Sequence, residues 1–145
     1  MVRACRCRAV LQSSARSNAL SGTWTLDASR SNLPGSLAQS QLLTIRVAGD
    51  SVLTVEDTWY ADGTRTTVQC PMKPDGREYP ASGTARLLVE AQTVVLTRVN
   101  ASTMKWTYKK GAEVLLTVVG EVSPEGNTLT LTTGDDRRLV YLRLQ

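Results

Sequence analysis

From Ser21 onward, hydrophobic and polar residues alternate with a period of two, the pattern of strands that bury one face and expose the other. Turn signals such as Gly49-Asp50, Ala61-Asp62-Gly63 and Lys110-Gly111 separate these runs about every dozen residues. Residues 70–80 contain three prolines, which predicts a turn and a short edge strand rather than a central strand. The pattern predicts roughly eight to ten strands, each joined to the next by a hairpin.

An antiparallel sheet of this size leaves two exposed edges unless it closes on itself. A chain of 145 residues is long enough for one such domain, and signals of helix are nearly absent. We therefore expect an all-β fold, a single closed antiparallel up-and-down β-barrel of roughly eight to ten strands. A two-sheet sandwich is the alternative, and the run of adjacent hairpins favours the barrel over it.

The first 20 residues lack the alternation and are rich in Arg, Ser and Ala. They contain no apolar run of the length that a secretory signal needs. Four arginines precede Asp27, the first acidic residue, and without them the chain has 13 basic and 13 acidic residues. The net charge of +4 therefore belongs to this segment. We expect residues 1–20 to be a disordered basic leader and residues 21–145 to be the barrel domain.

The charge balance of the domain limits its partners. It has no cluster of positive charge, so we expect no nucleic-acid partner. No stretch approaches the length of a membrane span. We expect a soluble protein, cytoplasmic as given, or secreted or periplasmic if the leader is the remnant of a longer precursor. The sequence leaves the oligomeric state open.

The chain has no histidine, which excludes the usual Ser–His–Asp and Cys–His relays and any histidine-ligated metal. Cys5 and Cys7 alone do not complete a zinc site, and Cys70 fits a small buried apolar position. We expect no metal and no cofactor. An enzyme built on this chain would be a hydrolase of esters or glycosides that uses carboxylate, Tyr or Lys side chains.

Four sequence segments resemble a known superfamily. Gly22-Thr23-Trp24, at the start of the first strand, resembles the Gly-x-Trp signature of the lipocalin and fatty-acid-binding (calycin) superfamily. Residues 22–31, 75–80, 107–111 and 140–143, in that order, are similar to segments of small bacterial lipocalin-like proteins of undefined function. The resemblance covers the chain from residue 21 to its end and implies a lipocalin-like barrel.

The resemblance also assigns roles at the closed end of the barrel. It implies that Trp24 closes the floor and that Arg143 packs over it from the last strand. The carboxylate clamp of fatty-acid-binding proteins is missing, because Arg138 and Tyr141 are three residues apart and point to opposite faces of a strand. The resemblance therefore does not imply fatty-acid specificity.

Two strands have alternating faces with large apolar side chains. These residues are Leu53, Val55 and Trp59 on one strand, and Met104, Trp106 and Tyr108 on the other. If both faces point into a closed barrel, they line a ligand cavity from opposite walls. The alternative is that they form ordinary core.

Asp57 is the candidate catalytic group, because it shares a face with Leu53, Val55 and Trp59. A carboxyl held inside the barrel beside an aromatic ring would have a raised pKa and would suit general acid or base work. The alternatives are a position at the rim of the barrel or pairing with a basic neighbour.

The leading hypothesis is a non-enzymatic module that binds a small hydrophobic or amphipathic molecule inside the barrel. The first alternative is the hydrolase described above, and the second is a structural or protein-interaction barrel with a filled interior. An interior without empty space would favour the filled barrel. A cavity with two converging polar groups, one of them ionisable, would favour the hydrolase.

Overall fold

The structure is a computed structural model that describes residues 19–31, 38–84, 90–134 and 136–144. In these residues the chain forms 11 strands and one 3-10 helix, Ala28–Arg30. The strands are β1 (Gly22–Leu26), β2 (Ala38–Ala48), β3 (Ser51–Tyr60), β4 (Arg65–Met72), β5 (Glu78–Pro80), β6 (Ser82–Gly83), β7 (Thr93–Asn100), β8 (Thr103–Lys110), β9 (Glu113–Val122), β10 (Thr128–Thr133) and β11 (Arg138–Arg143). No helix in this part of the chain is long and apolar enough to cross a membrane.

All of these strands belong to one antiparallel sheet with the order β5-β7-β8-β9-β10-β11-β1-β2-β3-β4-β6. The first strand pairs with the last, which curls the sheet until β4 comes into contact with β5 and β7. The result is one nearly closed antiparallel barrel. The predicted fold class is confirmed, with slightly more strands than expected, and the barrel is compatible with a lipocalin-like fold.

The additional strands come from the proline-rich segment between β4 and β7. β5 has three residues and pairs with β7, whereas β6 has two residues and pairs with β4. Proline has no N–H to donate to a ladder, so this segment does not form a full central strand. It instead adds a short strand to each of the two edges that face each other across the gap.

The floor of the barrel is built around Trp24. The guanidinium of Arg143 lies over the indole ring, 4.2 Å from its centroid, so the contact that the resemblance implies is present. The guanidinium also donates to the carbonyl oxygens of Gly126, Ser21 and Ala19 at 2.7, 2.8 and 3.0 Å. These bonds satisfy Arg143 while its flat face covers a fully buried aromatic ring.

The first strand begins with a glycine, Gly22, for two structural reasons. Its φ of 145° is a conformation that side chains rarely adopt. A Cβ atom at this position would also collide with the guanidinium of Arg143. Glycine therefore gives Arg143 the space to reach Trp24.

Residues 1–18 lie outside the described residues, so the disordered leader stays a prediction. Ala19 and Leu20, which the sequence analysis assigned to that leader, contact the floor. Leu20 is 1% exposed, and its carbonyl oxygen accepts a hydrogen bond from Trp24 Nε1 at 3.0 Å. The folded domain therefore includes residues 19 and 20.

Candidate functional site

The interior face of β3 consists of its even-numbered residues. Val52, Thr54 and Thr58 are buried, and Glu56 lies on the same face. The odd-numbered residues point to the outside of the barrel; they are Leu53, Val55, Asp57 and Trp59. The prediction that Leu53, Val55 and Trp59 line an interior cavity is wrong, and so is the interior position considered for Asp57.

The neighbouring strands decide which face of β3 is buried. Thr54 pairs with Ile45 on β2 and with Cys70 on β4, and both partners are fully buried. Directly opposite residues of an antiparallel sheet share a face, so this register directs Thr54 and Glu56 inward. The other face of β3 has the larger apolar area, but pairing with two neighbouring strands fixes which face points inward.

On the outer face, Asp57 and Trp59 share a partner. Arg65 donates from Nη2 to Asp57 Oδ1 at 2.8 Å, and its guanidinium lies 5.3 Å from the centre of the Trp59 ring. Asp57 is therefore paired with a basic neighbour, which is one of the alternatives given for it above. Trp59 remains 36% exposed.

Leu53 lines a groove of about 460 Å³ near the β2–β3 hairpin. Pro71 and Tyr79 contribute further apolar surface, and Arg46 and Lys73 contribute positive charge. Lys73 is paired with Asp50 at 3.6 Å. The groove is open to the surface and does not include the β8 residues.

The β8 face has the predicted inward direction. Met104, Trp106 and Tyr108 are 1%, 4% and 8% exposed and lie opposite Arg98, Leu96 and Val94 of β7. Gly120 on β9 makes room for Trp106, since a Cβ atom there would lie 2.9 Å from the indole ring. These three side chains form one wall of the interior, and ligand binding by them stays a prediction.

Glu56 is the functional candidate that the sequence analysis missed. Burial, with a smaller contribution from the negative charge of neighbouring Asp57, raises the pKa of this carboxyl from 4.5 to about 7. Within the described ranges, no group donates a hydrogen bond to the Glu56 carboxyl or forms an ion pair with it. A carboxyl on the interior face thus has no partner from the described protein.

The two-residue turn at Gly49-Asp50 contains the signal that identifies Glu56. This turn pairs Ala48 with Ser51, and the same register then places Leu43 opposite Glu56. On β2 the apolar alternation of Leu43 with Ile45 marks the buried face. Transferring that face across the hairpin gives Glu56 rather than Asp57.

Glu56 lies among three other titratable groups of the interior. We call Glu56, Cys70, Tyr108 and Tyr141 the interior polar cluster; its members come from β3, β4, β8 and β11. Burial raises the pKa of Cys70 to about 11 and the pKa of both tyrosines well above 10. The nearby Glu56 charge contributes to each of these three increases. Near neutral pH, Glu56 is therefore the member that titrates.

Two hydrogen bonds tie part of this cluster into the barrel wall. The Tyr141 hydroxyl donates to Gln41 Oε1, and Gln41 Nε2 donates to Thr58 Oγ1 at 2.9 Å. Tyr108 interacts electrostatically with the Cys70 thiol. These contacts join β2, β3 and β11, and β4 with β8, without involving Glu56.

Two further polar atoms on the interior face have no partner among the described residues. They are Thr54 Oγ1, from a residue that is 7% exposed, and Trp106 Nε1. Buried polar atoms normally have a hydrogen-bond partner, and water or a ligand supplies it where the protein does not. The interior therefore offers a carboxyl, a hydroxyl and an indole N–H that the described protein leaves unpaired.

Several inward-facing side chains keep accessible surface. They are Leu26, Gln41, Glu56, Leu116, Val118 and Leu139, and all of them are half-buried. Because these side chains point away from the outer surface, their accessible area faces space within the barrel or at its mouth.

No group of three or more His, Cys, Asp or Glu residues that could hold a metal ion occurs in the described part of the chain. A comparison with protein-family models found no match. A comparison with curated proteins found none either. The interior of the barrel is the candidate functional site.

Proposed function

We propose that this protein binds a small amphipathic molecule inside its barrel. The observation that supports the proposal most strongly is the Glu56 carboxyl, which lies on the interior face and has no partner among the described residues. Met104, Trp106 and Tyr108 would form the apolar wall for the body of the ligand, and Glu56 would face its polar group. Small-molecule sites typically combine an apolar lining with a few polar groups in this way.

Nucleophilic catalysis is a weaker hypothesis for this interior. Burial keeps the Cys70 thiol and the Tyr108 hydroxyl protonated at neutral pH, so neither is an activated nucleophile. One observation favours a hydrolase that uses no protein nucleophile: Glu56, with a pKa of about 7, has the acidity of an effective general acid or base. Hydrolysis of chromogenic esters or glycosides that disappears in Glu56→Gln would establish this second function.

The test of binding uses the positions of the tryptophans. Trp106 is interior and Trp59 is on the outer face, so Trp59→Phe removes an emitter that a bound ligand does not reach. We expect hydrophobic dyes and alkyl amphiphiles to quench the fluorescence of this variant saturably. Trp106→Ala should weaken binding, whereas Trp59→Ala should leave the dissociation constant unchanged.

The opposite result would be equally clear. A panel of dyes and amphiphiles that produces no saturable change, together with an interior that excludes them in a crystal structure, would refute the proposal. The filled structural barrel would then be the better description of the molecule.

A further inference from the structure

Among the described residues, the interior contains a negative group and no available positive one. Arg143 and Arg98 lie on inward faces within the described ranges. Arg143 is used at the floor by three backbone carbonyls and by Trp24. Arg98 is exposed at the end of β7 and already has an interaction of its own. An anionic ligand would therefore meet the Glu56 carboxylate with no free cation from the described part of the chain to balance its charge.

We infer that the ligand is an amphiphile with a positively charged amino group, held by the Glu56 carboxylate while its apolar body lies along Trp106 and Tyr108. The inference rests on the proposed function and specifies its ligand class. An ammonium group supplies both the opposite charge and the N–H donors that this carboxylate lacks. The neighbouring aromatic rings also attract cations through their faces.

Thr54 provides a second acceptor for the same group. It lies two residues from Glu56 on the same face of β3, which separates their Cα atoms by about 7 Å. Its hydroxyl is buried and has no partner among the described residues. An ammonium between the two side chains would donate to both and would satisfy two polar groups of the interior at once.

The test compares decylamine, decanol and decanoic acid, which share one alkyl chain and differ in charge. At pH 8 we expect decylamine to bind at least about tenfold more tightly than decanol, because it forms a charge-assisted hydrogen bond. We expect decanoate to bind more weakly than decanol. In Glu56→Gln the affinities for decylamine and decanol should become about equal, while the affinity for decanol stays the same as in the unmodified protein. Glu121→Gln, the same change at an exposed outer residue, should preserve the preference.

A measurement on the unmodified protein covers the case in which Glu56→Gln does not fold. An alkylammonium stays charged between pH 5 and 8, with a pKa of about 10 as for Lys. The described titratable groups that face Glu56 from other strands are Cys70, Tyr108 and Tyr141, and they remain protonated over this range. The preference for decylamine over decanol should therefore decrease at pH 5, where Glu56 is protonated.

Each outcome distinguishes the inference from the proposed function. If decanol binds but decylamine is not preferred, or if the preference survives both Glu56→Gln and pH 5, the inference is wrong and the proposed function stands. If none of the three compounds binds, the proposed function itself is wrong.

Discussion

Glu56 makes the stability of this protein depend on pH in a direction opposite to that of most carboxylates. Its pKa is about 7 in the folded protein and 4.5 in the unfolded chain. Between these values the folded protein holds a proton that the unfolded chain has released. The contribution of this group to the free energy of unfolding is therefore highest below pH 4.5, falls as the pH rises, and is constant above pH 7.

Replacing Glu56 with Gln removes this titration and keeps the shape of the protonated side chain. One pKa unit corresponds to about 1.4 kcal/mol, so a rise from 4.5 to about 7 corresponds to about 3 kcal/mol. Glu56 is half-buried, and water that reaches it lowers the cost of its charge. We compare the free energy of unfolding of Glu56→Gln with that of the unmodified protein. We expect this difference to increase by about 2 kcal/mol in favour of the variant as the pH rises from 5 to 8.

The assay is urea unfolding of both proteins at pH 5, 6, 7 and 8, followed by tryptophan fluorescence. The quantity of interest is the difference between the two free energies of unfolding at each pH, because other carboxylates cancel in that difference. Glu121→Gln serves as the matched control, since Glu121 is exposed on β9. Its difference from the unmodified protein should vary by no more than a few tenths of a kcal/mol.

A difference that does not vary with pH would contradict the reasoning. Glu56 would then titrate in the folded protein as it does in the unfolded chain, and its carboxyl would have to be in contact with bulk water. The register of β3 described above would be wrong, together with the site built on it.

Three further predictions concern the floor, the first strand and the thiol. Removal of residues 1–18 should leave the thermal midpoint unchanged. Removal of residues 1–20 should lower the free energy of unfolding by about 2 kcal/mol or more, because it takes away the buried Leu20 side chain and the acceptor of Trp24 Nε1. Equal midpoints would show that Leu20 does not pack on the floor. In urea unfolding, Gly22→Ala should lower the free energy of unfolding by at least about 2 kcal/mol more than Gly49→Ala, since Gly49 also has a positive φ but faces open space. Equal losses in the two variants would argue against a tight fit of Arg143 at Gly22. Cys70 should react with a thiol reagent only after unfolding, because it is fully buried and its pKa is about 11; rapid labelling of the native protein at this residue would place the thiol outside the interior.

Local patterns of the sequence determined most of the architecture. Alternation with a period of two, interrupted by turn residues, predicted the antiparallel strands and their hairpins because both signals act within a few residues. On β8 the alternation is unambiguous, since Met104, Trp106 and Tyr108 alternate with Lys105, Thr107 and Lys109, and its predicted inward face is the one observed. The closure of the barrel followed from the need to protect sheet edges.

Pairing with the neighbouring strands, and not the pattern of β3 itself, decided which face of β3 is interior. Both faces of this strand combine apolar residues with one carboxylate: Val52 lies with Glu56, and Leu53 lies with Asp57. Local hydrophobicity therefore does not separate them, and the larger side chains favoured the wrong face. Side-chain direction in a sheet is fixed by pairing, so the buried partners Ile45 and Cys70 determined the outcome from the neighbouring strands.

The interior polar cluster depended on the tertiary structure for the same physical reason. Its members come from four strands, and the Tyr141 hydroxyl meets Gln41 across 100 residues of sequence. The cost of burying Glu56 also depends on the side chains that surround it after the barrel has closed. The sequence determined which residues could alternate inward, and the closed sheet determined which of them meet and how strongly the pKa of Glu56 is raised.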